Sequence, residues 1–295
     1  MSRLLCARLD LRLQQRTDSA LLSYMKVDGC GNVSYYNEGY RKMGAALERS
    51  GRQIEYSCSW PAYINGGNES LQPFSTFIEI GCNVWRNWHD IQCNWESLGS
   101  IIDHWGHYGR ALQPYAGPGH WHDMDMLLIG SVSGGEDGGV LGHRCVSPAE
   151  ERTQMAIWCI SASPLIMGND LRNISEASKA ILLNADAIAV SQDPLGQMGI
   201  RLTSDTPQQV WSRELANGDV AVALYNKGAV SGASQTAADI KLDFALLDLR
   251  GLIEVYDIWG QRVVGRFSGA YTAKAVPHHG TAFLRLSSVQ AGERE

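Results

Sequence analysis

The sequence predicts an α/β fold followed by an all-β domain, and three observations lead to it. Short apolar segments alternate with helix-period segments from about residue 22 to residue 193, the pattern of βαβ units on a parallel sheet. About five strand–helix units can be counted, where a closed (β/α)8 barrel needs eight. After Gly196 the pattern changes to short strands separated by Gly, Asn and Asp turns. The first part therefore reads either as an incomplete (β/α)8-type barrel or as an open doubly wound sheet of five strands. The second normally shows a phosphate-cradling glycine motif after its first strand, and none is present.

Taken in order, a strand is expected at residues 24–28, stopped by Gly29. A helix follows at 37–50, with Tyr40, Met43 and Leu47 on one face and Gly51 as its stop. Further strands are expected at 54–59 and 78–85, and a helix at 95–108 with Leu98, Ile101, Ile102 and Trp105 as its apolar positions. A fourth strand covers about 123–129. Ser147, Pro148 and Glu150 then form an N-cap, a first-turn proline and a capping-box acid for a helix to about 161. A fifth strand is expected at 164–167, a helix after Ser175 and a last short segment at 187–190. The β-rich part reads as an antiparallel sandwich with strands at 210–215, 219–226, 240–244, 252–259 and 281–286. The division expected is an atypical segment 1–19, a partial barrel 20–200, a sandwich 201–289 and a tail 290–295.

Composition narrows the function. The 295 residues are 44% apolar and 19% charged, ordinary for a globular chain, and the net charge of −6 without a basic stripe argues against a nucleic-acid surface. No apolar run approaches the ~20 residues that cross a bilayer. Seven cysteines include no C-x-x-C pair, which argues against zinc ribbons and thioredoxin-type chemistry. Sequons at Asn32, Asn68 and Asn173 lean toward a secreted or lysosomal setting. Residues 1–19, with Arg3, Arg8, Arg12 and Arg16, contain no signal-peptide core, so a cytosolic chain or a missing natural N-terminus is expected.

Strand ends carry the chemistry of α/β folds. Lys26 and Asp28 lie on one side at the end of the first strand, Arg86 and Asp90 follow the third, and Asp123 and Asp125 belong to the fourth. Paired acids at successive strand ends suit glycoside hydrolysis, although aspartate also caps helices and turns. His120, His122, Asp123 and Asp125 share alternate positions that could hold a metal.

The runs KVDGC (26–30), SCSWPAY (57–63), CNVWRNWHDI (82–91), AGPGHWHDMDMLLIG (116–130), SPLIMGNDLRNIS (163–175) and QDPLG (192–196) resemble α-galactosidases and α-N-acetylgalactosaminidases, the melibiase family or glycoside hydrolase family 27. The resemblance runs from about residue 20 to the C-terminus and implies the barrel. It implies that Asp28 is the nucleophile and Asp90 the acid/base of a retaining mechanism, whose carboxyl groups lie about 5–5.5 Å apart. It implies sugar contacts from Lys26, Arg86, Asp125 and Met126, a structural Asp123, a Cys30–Cys58 bridge, and no metal or cofactor. Cys82 is expected to lack its usual partner. Where this stretch of α-galactosidases carries Glu and Leu, the chain has Ser59 and Ala62, leaving room for a 2-acetamido group flanked by Tyr63. That is the N-acetylgalactosaminidase pattern. Most members have Asn and Pro where His122 and Met124 stand, which bears on the local strand geometry.

The family contains about three further βα units before the nucleophile strand, with a Trp and an Asp pair that bind the sugar, and these are expected to be missing here. The expected function is removal of terminal α-linked galactose or N-acetylgalactosamine from a glycan or glycoconjugate. The alternative is a truncated, catalytically impaired relative that binds sugar or pairs with another chain. A lysosomal or secreted location follows from the resemblance, with no nucleic-acid partner, no membrane insertion, and a homodimer as the assembly allowed for.

Overall fold

The computed structural model of the chain describes residues 23–29, 31–134, 142–228 and 236–289. The expectations for residues 1–19 and 290–295, and for Cys6 and Cys30, lie outside them. Two compact units result, one made of residues up to His89 with Pro114–Met124, the other of Asp90–Gln113 with Asp125 onward.

The first unit is built on a four-stranded parallel sheet in sequential order, β1 (Tyr24–Val27), β2 (Glu55–Cys58), β3 (Val84–Arg86) and β4 (Trp121–Asp123). These are parallel strands of an open sheet, where a closed barrel has eight. Helix α1 (Tyr36–Arg49) connects β1 to β2 and buries Tyr36, Tyr40 and Leu47. It stops where expected: Gly51 takes φ 68°, a left-handed conformation glycine adopts without a Cβ clash, and its N–H closes on the Glu48 carbonyl at 3.1 Å. Tyr40 stacks on Trp60 at 5.7 Å, and Trp60 meets Phe77 edge-on at 5.0 Å, so the core here is aromatic. Helix α2 (Phe74–Glu79) occupies the start of the expected third strand, which begins only at Val84.

The second unit holds helices α3 (Trp95–Leu112), α4 (Pro148–Ile160), α5 (Glu176–Leu182) and α6 (Ala185–Ser191) and the sandwich. Helix α4 starts with the capping box read from the sequence, both reciprocal bonds of Ser147 and Glu150 being present. The expected segment at 187–190 is the helix α6 rather than a strand. The expected fifth strand is reduced to a parallel bridge between Leu127 and Met167.

Two antiparallel sheets form the sandwich. One has the order β10 (Arg262–Ser268), β9 (Leu252–Asp257), β12 (Thr281–Ser288), β7 (Val220–Asn226), β6 (Gln208–Glu214), β5 (Ile200–Arg201); the other pairs β11 (Ala270–Val276) with β8 (Ala238–Asp243). Their core includes Val222, Leu224, Ile240, Val255 and Leu284. Strands β5, β10 and β11 are not expected from the sequence. Most of β10 is exposed, and a bulge between Val263 and Gly265 breaks its two-residue period.

Candidate active site

Asp28 follows β1 directly, and its backbone is fixed from α1. The Tyr40 hydroxyl donates to the carbonyls of Val27 at 3.1 Å and Asp28 at 3.2 Å, and the Tyr56 hydroxyl donates to the Tyr40 carbonyl at 3.2 Å. Burial pushes the Tyr40 phenol strongly upward, so it remains a donor at any working pH. Sequence periodicity shows Tyr40 only as a core position of a helix.

The Asp28 carboxylate is exposed and organised by two donors on one oxygen. Oδ1 accepts the Tyr63 hydroxyl at 2.5 Å and the Gly29 N–H at 2.7 Å. Among the described residues these hydrogen bonds leave Oδ2 to the solvent side. The Tyr63 hydrogen bond holds the carboxyl below its usual range, helped by the Gly29 N–H and the charges of Lys26 and Arg86, while partial burial opposes them. Gly29 has a steric reason: a Cβ there would sit 2.4 Å from the Tyr63 ring and 2.7 Å from the Tyr36 hydroxyl. Without glycine the ring could not reach Asp28.

Tyr63 is placed by the turn that follows β2. Ser59 donates its N–H to the Val27 carbonyl at 3.0 Å, and a 3₁₀ turn over Trp60–Tyr63 begins there with Pro61 in its first positions. Gln72 pins the turn through the carbonyls of Pro61 at 2.9 Å and Ile64 at 3.3 Å. Ser59 is buried, Ala62 half-buried and Tyr63 exposed. Lys26 is exposed on β1, whereas Arg86 is buried at the end of β3 with Nη2 donating to the His89 carbonyl at 3.0 Å.

The disulfide expectation is corrected. Cys58 is bonded to Cys82, not to Cys30, so Cys82 has a partner. Cys58 ends β2 and Cys82 precedes the neighbouring β3, with their Cα atoms 6.0 Å apart, within the span a bridge requires. The departures at 122 and 124 are accommodated. His122 and Met124 are both buried, and His122 Nδ1 accepts the Trp85 indole N–H at 2.8 Å across the β3–β4 pair. Among the described residues no group of three or more His, Cys, Asp or Glu side chains is arranged to hold a metal ion, and no helix is long and apolar enough to cross a membrane.

In the second unit Asp90 is exposed and is followed by a restrained turn. The Ile91 N–H donates to Asp125 Oδ2 at 2.8 Å, the Gln92 N–H to Ser97 Oγ at 2.8 Å, and Cys93 is bonded to Cys145. Asn94 then caps α3 through the Ser97 N–H. Asp125 is buried, whereas Met126 beside it is exposed. The Cys93–Cys145 bridge has no counterpart in the sequence reading, because spacing alone does not determine pairing.

Loss of the Tyr63 hydroxyl should show in the pH profile. The nucleophilic role that the family resemblance implies for Asp28 needs the ionised carboxylate, and Tyr63→Phe removes the largest influence lowering its pKa. The acid limb of kcat/KM is expected to move to higher pH, so activity falls more at low pH than near neutrality. An unmoved limb would mean that Tyr63 does not tune Asp28.

A parallel sheet whose first strand ends in an organised aspartate, followed by an antiparallel sandwich, has the arrangement of a barrel-type glycosidase. The family model described as "Alpha galactosidase A" matches residues 13–193, and that described as "Alpha galactosidase C-terminal beta sandwich domain" matches 205–286; the chain belongs to this melibiase family, glycoside hydrolase family 27. It is 44% identical to the alpha-N-acetylgalactosaminidase of Mus musculus over 207 residues, 69% of this chain and 46% of that protein. It is 41% identical to alpha-galactosidase A of Homo sapiens over 210 residues, 70% of this chain and 46% of that protein. Among solved structures, alpha-galactosidase I from Mortierella vinacea superposes with a TM-score of 0.72 at 29% identity, covering 90% of this chain and 67% of the other. The chain spans about half the length of these two curated relatives.

Proposed function

We propose that the chain is a retaining glycosidase that removes terminal, non-reducing α-linked N-acetylgalactosamine or galactose. Asp28 is the nucleophile and Asp90 the acid/base. The observation that carries this is the Asp28 carboxylate: two hydrogen bonds converge on Oδ1, the pKa is depressed, and Oδ2 is left to attack. In the first step Asp28 bonds to the anomeric carbon, the bond from C1 to the leaving oxygen breaks, and the Asp90 proton goes to that oxygen. In the second, Asp90 takes a proton from water as the water oxygen attacks C1 and Asp28 departs as carboxylate. Lys26 and Arg86 supply hydrogen bonds to the sugar hydroxyls, and Met126 an apolar contact. Relatives of both named specificities support the substrate class. The two disulfides among the described residues suit an oxidising compartment, lysosomal or secreted.

Preference lies with N-acetylgalactosamine. Ser59 and Ala62 are small where an acetamido group needs volume, and the turn carrying them is rigid. Hydrolysis of nitrophenyl α-N-acetylgalactosaminide and α-galactoside tests this. The first is expected to turn over faster, and Ser59→Glu with Ala62→Leu to shift the ratio toward galactoside by about a hundredfold. Sugar binding without turnover of either substrate would overturn the enzymatic reading. An unshifted ratio would overturn the assignment of these two positions.

A further inference from the structure

Both peptide groups that flank Asp90 are held by buried charged side chains. On its N-terminal side, within the first unit, Arg86 donates to the His89 carbonyl at 3.0 Å and is 4% exposed. On its C-terminal side, within the second unit, the Ile91 N–H donates to Asp125 Oδ2 at 2.8 Å. Asp125 is 7% exposed, and its other oxygen accepts the Met126 N–H at 2.8 Å. Its backbone is in an unusual state, with φ at 81° in a residue other than glycine. Such strain persists only where the surroundings over-determine it.

Here they do. The indole N–H of Trp158 donates to the Asp125 carbonyl at 2.8 Å, and Gln154, one helical turn earlier on α4, donates to the Met126 carbonyl at 3.1 Å and accepts the Leu128 N–H at 2.7 Å. Trp158 and Gln154 are fully buried. The strained conformation therefore turns the Asp125 carboxylate onto the chain at Ile91 rather than being an accident of a loose loop.

We propose that Asp125 is a positioning residue: its carboxylate holds the Ile91 N–H and so fixes the backbone that carries Asp90. This differs from the sugar contact that the family resemblance implies for it, and it rests on reading Asp90 as the acid/base. The need is geometric. A general acid must come within about 2.6–3.2 Å of the leaving oxygen, and a displacement of about 1 Å can cost about a hundredfold in rate. Asp90 is exposed, and the anchoring of its main chain sets where its side chain starts. The Gln92–Ser97 hydrogen bond and the Cys93–Cys145 bridge extend the anchored stretch to α3.

The test uses the full chain and glycosides of one sugar that differ only in leaving group. Asp125→Asn sets an amide NH2 against one of two backbone N–H donors. It is expected to lower kcat/KM for the methyl glycoside, whose first step needs protonation, by about 10- to 100-fold. For the 2,4-dinitrophenyl glycoside, whose first step does not, kcat/KM should stay within about threefold, while kcat and KM fall together as the water-activating second step slows. Equal losses of kcat/KM on both substrates with a raised KM would make Asp125 a sugar ligand and overturn the proposal.

Asp90→Ala is the control. It must show the same leaving-group dependence, more steeply, with azide restoring activity. If it does not, the acid/base reading fails whatever Asp125→Asn shows, and a wild-type chain without turnover likewise overturns both. Should Asp125→Asn not fold, replacing Ile91 by the corresponding α-hydroxy acid deletes only the N–H. That ester must reproduce the leaving-group signature, and a flat response overturns the proposal.

Discussion

Asp28→Ala is expected to lower kcat/KM on any glycoside by at least about four orders of magnitude, because in the proposed mechanism the attacking atom itself is removed. The fold should survive. Asp28 is exposed, its carboxylate accepts hydrogen bonds from Tyr63 and its neighbour Gly29 among the described residues, and the backbone carbonyls that Tyr40 holds are unchanged. The measurement is initial rate on a nitrophenyl glycoside beside a thermal melt of both proteins. A variant that melts like the wild type and is inactive places the loss in chemistry. A variant retaining a tenth of wild-type activity would remove Asp28 from the mechanism. An added small nucleophile such as azide should restore part of the rate and yield the glycosyl azide, since it can enter the volume the carboxylate leaves.

The second large effect is on stability. The Cys93–Cys145 bridge closes a loop with a sequence separation of 52 residues, against 24 for Cys58–Cys82. In the chain-entropy account the longer loop restricts the unfolded chain more, and its removal costs about 4 kcal/mol at most, roughly a thousandfold in the unfolding equilibrium. Cys93→Ser with Cys145→Ser is therefore expected to lower the denaturant midpoint clearly and to steepen the slope of the transition, because the denatured chain without the cross-link exposes more surface. The same variant also loosens the turn after Asp90, so part of its activity should be lost at temperatures well below its melt. A midpoint equal to that of the wild type under non-reducing conditions would show that this bridge contributes nothing to the folded state.

Features governed by local rules were legible in the sequence. The capping box of α4, the aromatic face and Gly51 stop of α1, and five of the sandwich strands follow from residue types at fixed spacings. Features governed by tertiary context were not. The apolar run at 187–190 is too short for periodicity to separate a helix from a strand, and it is the helix α6. The fourth strand, expected at about 123–129, is instead Trp121–Asp123 and ends there because Asp125 turns to positive φ, which no pattern announces.

The candidate site divides in the same way. Asp28 and Asp90 stand in motifs that carry the family resemblance, whereas Gly29 reads in the sequence as an ordinary turn residue, although the approach of the Tyr63 ring is what requires it. Tyr40 is indistinguishable from a core residue until its hydroxyl is seen on the carbonyls of Val27 and Asp28. Asp125 sits in a recognisable motif, but its hydrogen bond to Ile91 spans 34 residues of sequence. Likewise, the partner of Cys58 depends on which strands become neighbours, and that is a property of the sheet.

The central claim is a covalent bond between Asp28 and the sugar. An activated 5-fluoro glycosyl fluoride of the preferred sugar, which forms the glycosyl-enzyme quickly and releases it slowly, allows that bond to be trapped and mapped by peptide mass spectrometry. The expected result is a single added glycosyl group on the peptide containing Asp28, carried by that side chain and absent from Asp28→Ala. An adduct on another residue would contradict the account, as would turnover that gives the inverted anomer with no adduct at all.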